Sequence, residues 1–256
     1  MNDYYAGSYE RLENIMTELR VKCPWDKKQT IHSLRKLTIE ETYELVDAID
    51  SEDWKGLEEE LGDILLHLVF YIKLASEQGK FTRQDVVKSI CKKLVTRHPH
   101  IYDNVSVDNE EGVKQNWENL KLQEGKKGVL SGVPTSLPAI VKALRLQEKA
   151  KQVGFEWEKA SDVKDKINEE WNEFEEALTD RNEIEMEAEF GDVLFSMINY
   201  ARFLDIDPEA ALEKTNKKFI RRFNKMENKA MESVSSLKEL SLTELDAIWN
   251  QIKKGE

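Results

Sequence analysis

One arrangement of acidic residues occurs twice in this chain. Glu40, Glu41, Glu44, Glu60 and Asp63 recur as Glu169, Glu170, Glu173, Glu189 and Asp192, every member displaced by the same 129 positions. The repeat constrains the fold more than any other feature. Two copies of one framework imply two related domains. Clustered carboxylates repel, and a fold tolerates them chiefly when a cation lies among them.

The phase of the acids argues for burial. With Glu40 at the origin and 100° per residue, Glu41 and Glu44 fall at about 100° and about 40°. Leu34, Leu37, Leu45 and Ala48 occupy the same stripe. An amphipathic helix normally keeps acids off that stripe. On the following helix, Glu60 and Asp63 are about 60° apart. Asp63 lies off the stripe of Leu57, Leu61, Ile64, Leu65 and Leu68, but His67, Phe70 and Leu74 share its side. That helix is apolar nearly all round, so it is expected to be interior. The second copy repeats the pattern with Val163, Phe174 and Ala177, then Met186, Phe190, Val193, Leu194 and Met197.

The rest of the chain agrees with a helical protein. Strand-like alternation is almost absent, and Pro and Gly are few among 256 residues. The Pro/Gly-rich stretch 125–138 is the expected linker between a domain at 1–124 and a domain at 139–256. Gly62 matches Gly191, Tyr71 matches Tyr200, and Trp25 roughly matches Trp157. CKKLVTR (91–97) resembles NKKFIRR (216–222) at an offset of 125, so the first half carries four extra residues before that segment. The expected fold is all-α, two tandem helical bundles. The net charge of -12 argues against nucleic acid and anionic membranes as partners. The longest apolar run, 64–72, is too short to span a bilayer, and no signal segment precedes it. Cys23 and Cys91 form neither metal-ligand spacing nor a disulfide framework, which suits a cytoplasmic protein with reduced thiols.

Carboxylate-only ligands favour Mg²⁺, Mn²⁺ or Ca²⁺. A di-iron bundle would need two Glu-x-x-His motifs, whereas both copies read Glu-x-x-Asp. No EF-hand loop accompanies the acids. Mg²⁺ commonly bridges a few carboxylates to substrate phosphates, and phosphates also need cations. Lys218 and Arg222 stand i, i+4 on one helix, with Lys93 and Arg97 as first-half counterparts. Lys166 falls on the acid-bearing face at about 60°, where the first copy has Leu37. An ion pair with the acids and a contact to phosphate are both open to it. Either makes the two sites chemically unequal.

Long runs of the chain resemble the MazG family of nucleoside triphosphate pyrophosphohydrolases: LRVKCPWDKKQT, IEETYELVDAI, EEELGDILLHLVFY and RHPHIYD, then LPAIVKALRLQEKAKQVGFEW, EFGDVLF, NKKFIRRF and LDAIW. One departure is local: Ile31 stands between Gln-Thr and His32. The resemblance implies a homodimer and Mg²⁺-dependent hydrolysis of ribo- and deoxyribonucleoside triphosphates to monophosphate and pyrophosphate, with Mn²⁺ as an alternative ion. It implies that the C-terminal half carries the activity. Glu170, Glu173, Glu189 and Asp192 would hold the ion, Glu169 would orient water, and Lys166, Lys218 and Arg222 would contact phosphates. Trp249 and Lys253 match positions at the nucleotide end; Trp249 is equally a core aromatic anchoring the last helix. Glu41, Glu44, Glu60 and Asp63 form the second candidate metal site. Two other readings stay open: an idle helical module that uses metal only for stability, and an enzyme restricted to dUTP or a damaged nucleotide. RHPH (97–100) reads as a turn.

Overall fold

The computed structural model describes residues 7–103, 128–233 and 237–255, together with 112, 113, 116 and 120. Ten helices and no strand occur among them: α1 (Tyr9–Lys22), α2 (Ile31–Asp50), α3 (Trp54–Glu77), α4 (Arg83–Arg97), α5 (Pro99–Tyr102), α6 (Ala139–Gln152), α7 (Ala160–Asp180), α8 (Glu183–Phe203), α9 (Pro208–Ser233) and α10 (Leu242–Lys254). The chain divides into two compact units, Met1–Asp108 and Asn109–Glu256. Of the expected linker, 125–127 lie outside the described residues. The remainder holds a 3-10 turn at Val129–Gly132 and Pro138, which caps α6.

Local chemistry starts these helices where the sequence places small polar residues. Thr30 and Ser33 form a reciprocal capping box at α2, Thr82 and Asp85 at α4, and Ser241 and Glu244 at α10. Each box supplies partners to backbone donors that a helix start leaves unmet. Asp53 accepts from Lys55 N and Gly56 N at the start of α3, and Asn182 accepts from Glu185 N at the start of α8.

In the first unit α2 packs along α3, and α1 lies on α3. Met16, Leu34, Val69, Phe70 and Leu74 form the buried core, with Leu37, Leu66 and Tyr71 against it. Full burial of a large apolar side chain is worth roughly 1.5–3 kcal/mol, so these five contribute strongly to the cohesion between α1, α2 and α3. Thr38 Oγ1 and Tyr71 Oη, 2.8 Å apart, tie α2 to α3. In the second unit α7 packs along α8, α6 lies on α8, and α9 packs on α6, α8 and α10. Its buried residues are mostly smaller: Ala143, Val163, Ala177, Val193, Ile198, Met226 and Ala230.

The two hairpins match position for position down to the turn. Glu52 and Arg181, 129 positions apart, both adopt left-handed φ of 55° and 54°, and each precedes the cap of the next helix. The four extra residues of the first half lie beyond that point. Helix α3 has 24 residues and α8 has 21, which gives three. The left-handed Gly79 stands three positions before the Thr82 cap, whereas left-handed Asp205 stands two before Asp207, whose carboxylate accepts from Ala210 N; this gives the fourth.

One expectation needs correction. Helix α3 is not interior within the single chain. His67, Val69, Phe70, Leu74 and Ala75 are buried, but Leu61, Leu65 and Leu68 are 52%, 39% and 53% exposed. Only one of its two apolar stripes meets α1 and α2. The matching residues of α8, Phe190, Leu194 and Met197, are exposed as well.

Candidate metal centre

The helical phase that places acids on an apolar stripe brings three carboxylates together in each hairpin. In the first unit Glu41 of α2 meets Glu60 and Asp63 of α3, with one oxygen of each within 4.8 Å of the others. In the second, Glu170 and Glu173 of α7 meet Glu189 of α8 within the same limit. The helix-pair geometry is shared and the membership is not. Positions 41/170 and 60/189 serve in both. The third member is Asp63 in the first unit and Glu173 in the second. Their counterparts, Glu44 and Asp192, are exposed and stand outside the trios.

The electrostatics of the first trio are those of uncompensated acids. Burial, then the neighbouring Asp63, Glu44 and Glu40 charges, push Glu41 above the ordinary carboxylate range, against a hydrogen bond with Glu60 that lowers it. Glu60 is raised by burial and by Glu44, Glu41 and Asp63. Glu60 Oε2 is buried with no hydrogen-bond partner. Such an atom costs free energy unless something electropositive meets it. His67, one turn beyond Asp63, is also buried, and desolvation lowers its pKa despite the Asp63 charge.

In the second unit a resident cation changes this picture. Lys166 Nζ lies 2.8 Å from Glu169 Oε1 and 2.8 Å from Glu170 Oε1. Glu170 is 7% exposed and Lys166 half-buried. Hydrogen bonds to Glu169 and then Glu170 raise the lysine pKa. Glu173 is raised by burial, by its hydrogen bond with Glu170 and by the Glu170 and Glu189 charges, while Lys166 lowers it. At the corresponding place in the first unit, Leu37 packs against the apolar core.

All donors in both trios are carboxylate oxygens, without thiolate or imidazole, and three carboxylates already converge in each. This set fits Mg²⁺ or Mn²⁺, hard ions that take oxygen ligands and complete their shells with water and phosphate. The partnerless Glu60 oxygen is a vacant acceptor of the kind such an ion fills.

The remaining candidates lie on α9 and α10. Lys218 and Lys253 are exposed, and Arg222 is half-buried with its guanidinium 5.9 Å from the Trp249 ring centre. Trp249 also packs on Phe219 at 5.2 Å, so it anchors α10 to α9. Sequence reasoning did not anticipate that Trp249 meets Arg222; an aromatic residue and an arginine on adjacent helices carry no periodic signal. His32 is exposed in the first turn of α2. RHPH spans a helix junction and not an open turn: Arg97 ends α4, His98 joins the helices with its Nδ1 2.6 Å from the Leu94 carbonyl, and Pro99 and His100 open α5.

Comparison with known proteins follows the same duplication. The MazG nucleotide pyrophosphohydrolase domain matches residues 29–102 and again 159–226, one segment on each hairpin. The nucleoside triphosphate pyrophosphohydrolase/pyrophosphatase MazG of Thermotoga maritima is 43% identical over 253 residues, spanning 97% of this chain and 96% of that protein. The nucleoside triphosphate pyrophosphohydrolase of Escherichia coli K12 is 38% identical over 256 residues, 96% of this chain and 97% of that protein. YabN of Bacillus subtilis, an uncharacterized protein, is 44% identical over 254 residues but is matched over only 52% of its own length.

Proposed function

The chain belongs to the MazG family of nucleotide pyrophosphohydrolases, and we propose that its second unit hydrolyses nucleoside triphosphates to monophosphate and pyrophosphate with Mg²⁺ held by Glu170, Glu173 and Glu189. The enzyme is a hydrolase acting on an acid anhydride. The observation that carries the assignment to this unit is Lys166, which puts a cation beside the second trio where the first has Leu37.

A bound Mg²⁺ supplies charge neutralisation for the phosphates and lowers the pKa of water. Glu170, Glu173 and Glu189 would hold it through carboxylate oxygens, with Asp192, exposed one turn beyond Glu189, as the fourth expected ligand. Glu169 accepts the proton of the attacking water at a carboxylate oxygen, since only one of its oxygens is committed to Lys166. Lys218 and Arg222 stabilise charge on the departing pyrophosphate. Trp249 fixes the Arg222 guanidinium by a cation–π contact, and Lys253 adds a further cation near the nucleotide.

The working form is a homodimer in this reading. Leu61, Leu65 and Leu68, repeated as Phe190, Leu194 and Met197, leave an apolar stripe on each hairpin, which a second copy would cover. No helix among the described residues is long and apolar enough to cross a membrane. Free Cys23 and Cys91 suit the cytoplasm, and the net charge of -12 disfavours nucleic acid as a partner.

The deciding experiment follows pyrophosphate release from a panel of ribo- and deoxyribonucleotides, dUTP and oxidised nucleotides included. Glu173→Gln and Asp192→Asn are compared with Glu44→Gln and Asp63→Asn. Loss confined to the first pair is expected, and full activity in that pair would defeat the assignment. Turnover of one nucleotide alone would replace the broad reading by a narrow one. A second reading applies to the first unit only. Leu37 in the core favours a metal-stabilised module without turnover, expected to melt higher with Mg²⁺ while releasing no pyrophosphate by itself.

A further inference from the structure

Glu170 belongs to two groupings. Its carboxylate is one of three that converge on the metal centre, and it is also 2.8 Å from the Lys166 ammonium. An ammonium and a divalent ion on one carboxylate repel each other strongly at that range. Glu170 is nearly buried, so it is costly to leave with neither. The lysine stem is flexible and its side chain is 31% exposed, so the ammonium can leave without disturbing the helix. Leu37 cannot play this part in the first unit, where a carboxylate oxygen of Glu60 is left without a partner.

We propose that Lys166 is an exchangeable counter-ion: without a divalent ion its ammonium holds Glu169 and Glu170, and an ion entering the Glu170, Glu173 and Glu189 trio displaces it, which frees it for the anionic substrate. The inference rests on reading that trio as a divalent-ion centre. The exchange moves no proton and breaks no covalent bond. It makes the lysine compete with the ion in the absence of nucleotide. It also orders the events, because the ammonium reaches an anion only after the ion has arrived.

The test uses the full-length protein without nucleotide. Mg²⁺ binding is measured by calorimetry, and acetylation of the Lys166 amine by limiting acetic anhydride is followed by mass spectrometry with and without saturating Mg²⁺. Lys166→Met is expected to bind Mg²⁺ about two- to fivefold more tightly, the scale of one lost ion pair. In the wild-type chain, Lys166 acetylation is expected to quicken several-fold with Mg²⁺, and in Glu189→Gln to stay at its ion-free rate. Unchanged or slower labelling in a wild-type chain that calorimetry shows to be loaded overturns the exchange. The labelling needs no variant, so it stands whether or not Lys166→Met folds. A wild-type chain that binds no Mg²⁺ overturns the metal-centre reading itself, and the exchange with it.

Discussion

The two hairpins share a backbone plan and differ in how they neutralise it. Helices α2 and α3 bring Glu41, Glu60 and Asp63 together over a core of large side chains, with Leu37 committed to that core. Helices α7 and α8 bring Glu170, Glu173 and Glu189 together, with Lys166 reaching into the acids. One copy therefore retains the acids and fills the neighbouring position with apolar packing. The other places a cation there and has a smaller core. A shared carboxylate cluster does not by itself make two equal sites, because the residue one turn away sets its charge balance.

The sharpest way to break this contrast is to disable each trio separately. Glu189→Gln is expected to lower pyrophosphate release roughly 10²–10³-fold, the scale of a lost electrostatic contact at a reacting centre. Glu60→Gln should leave release within about twofold, because no step is assigned to its unit. Equal losses would make the two sites partners. Next in size, Lys166→Leu copies the first unit into the second. Loss of a charged hydrogen bond is worth about 1.5–3 kcal/mol, so KM for the nucleotide should rise about ten- to a hundredfold.

The effect of pH on metal stabilisation should be smaller. Glu41, Glu60 and Glu173 have raised pKa values in the folded, ion-free chain. Their folded forms hold protons above the unfolded value of 4.5, so they withdraw stability as pH rises through that interval. Mg²⁺ bound at the trios would replace those protons. The rise in Tm on adding Mg²⁺ should therefore grow with pH, reaching half its full size above pH 4.5 and amounting to a few degrees. A gain independent of pH between 4.5 and 7 would detach the raised carboxylates from the ion. The smallest change expected is at a cap. Thr82→Ala should cost about 1 kcal/mol in chemical denaturation and leave turnover untouched. Its partner Asp85 is held below the ordinary 3.8 by hydrogen bonds from Thr82, so that contribution is present above pH 3.8 and lost as pH falls through the folded value.

Much of this was legible in the residues. The phase on an apolar stripe drew Glu41 and Glu170 inward as expected, but it implied the same for Glu44 and Glu173, which are exposed. It left the contact of Lys166 with the acids as one of two options. Which of the Asp63 and Glu173 positions completes each trio was not legible, because phase fixes where a side chain starts and not which way it turns. The uncovered Leu61, Leu65 and Leu68 stripe escaped for a related reason: an apolar surface looks the same in sequence whether its own chain or another covers it. Trp249 meets Arg222 and Phe219 through the packing of α10 on α9, which no local spacing encodes.

The left-handed residues at the hairpin tips, Glu52 and Arg181, act as the zero mark of a ruler. Glu41 and Glu170 each lie eleven residues before the mark, and Glu60 and Glu189 each lie eight after it. One inserted residue within that span would advance the helix by about 1.5 Å and swing the acid about 100° around it, which takes it out of reach of its partners. The first half carries its four extra residues past Leu74 and none within the span. Where length can vary and where it cannot is thus written into the spacing, and loop grafts or insertions for engineering belong beyond the α3 terminus, away from the tips.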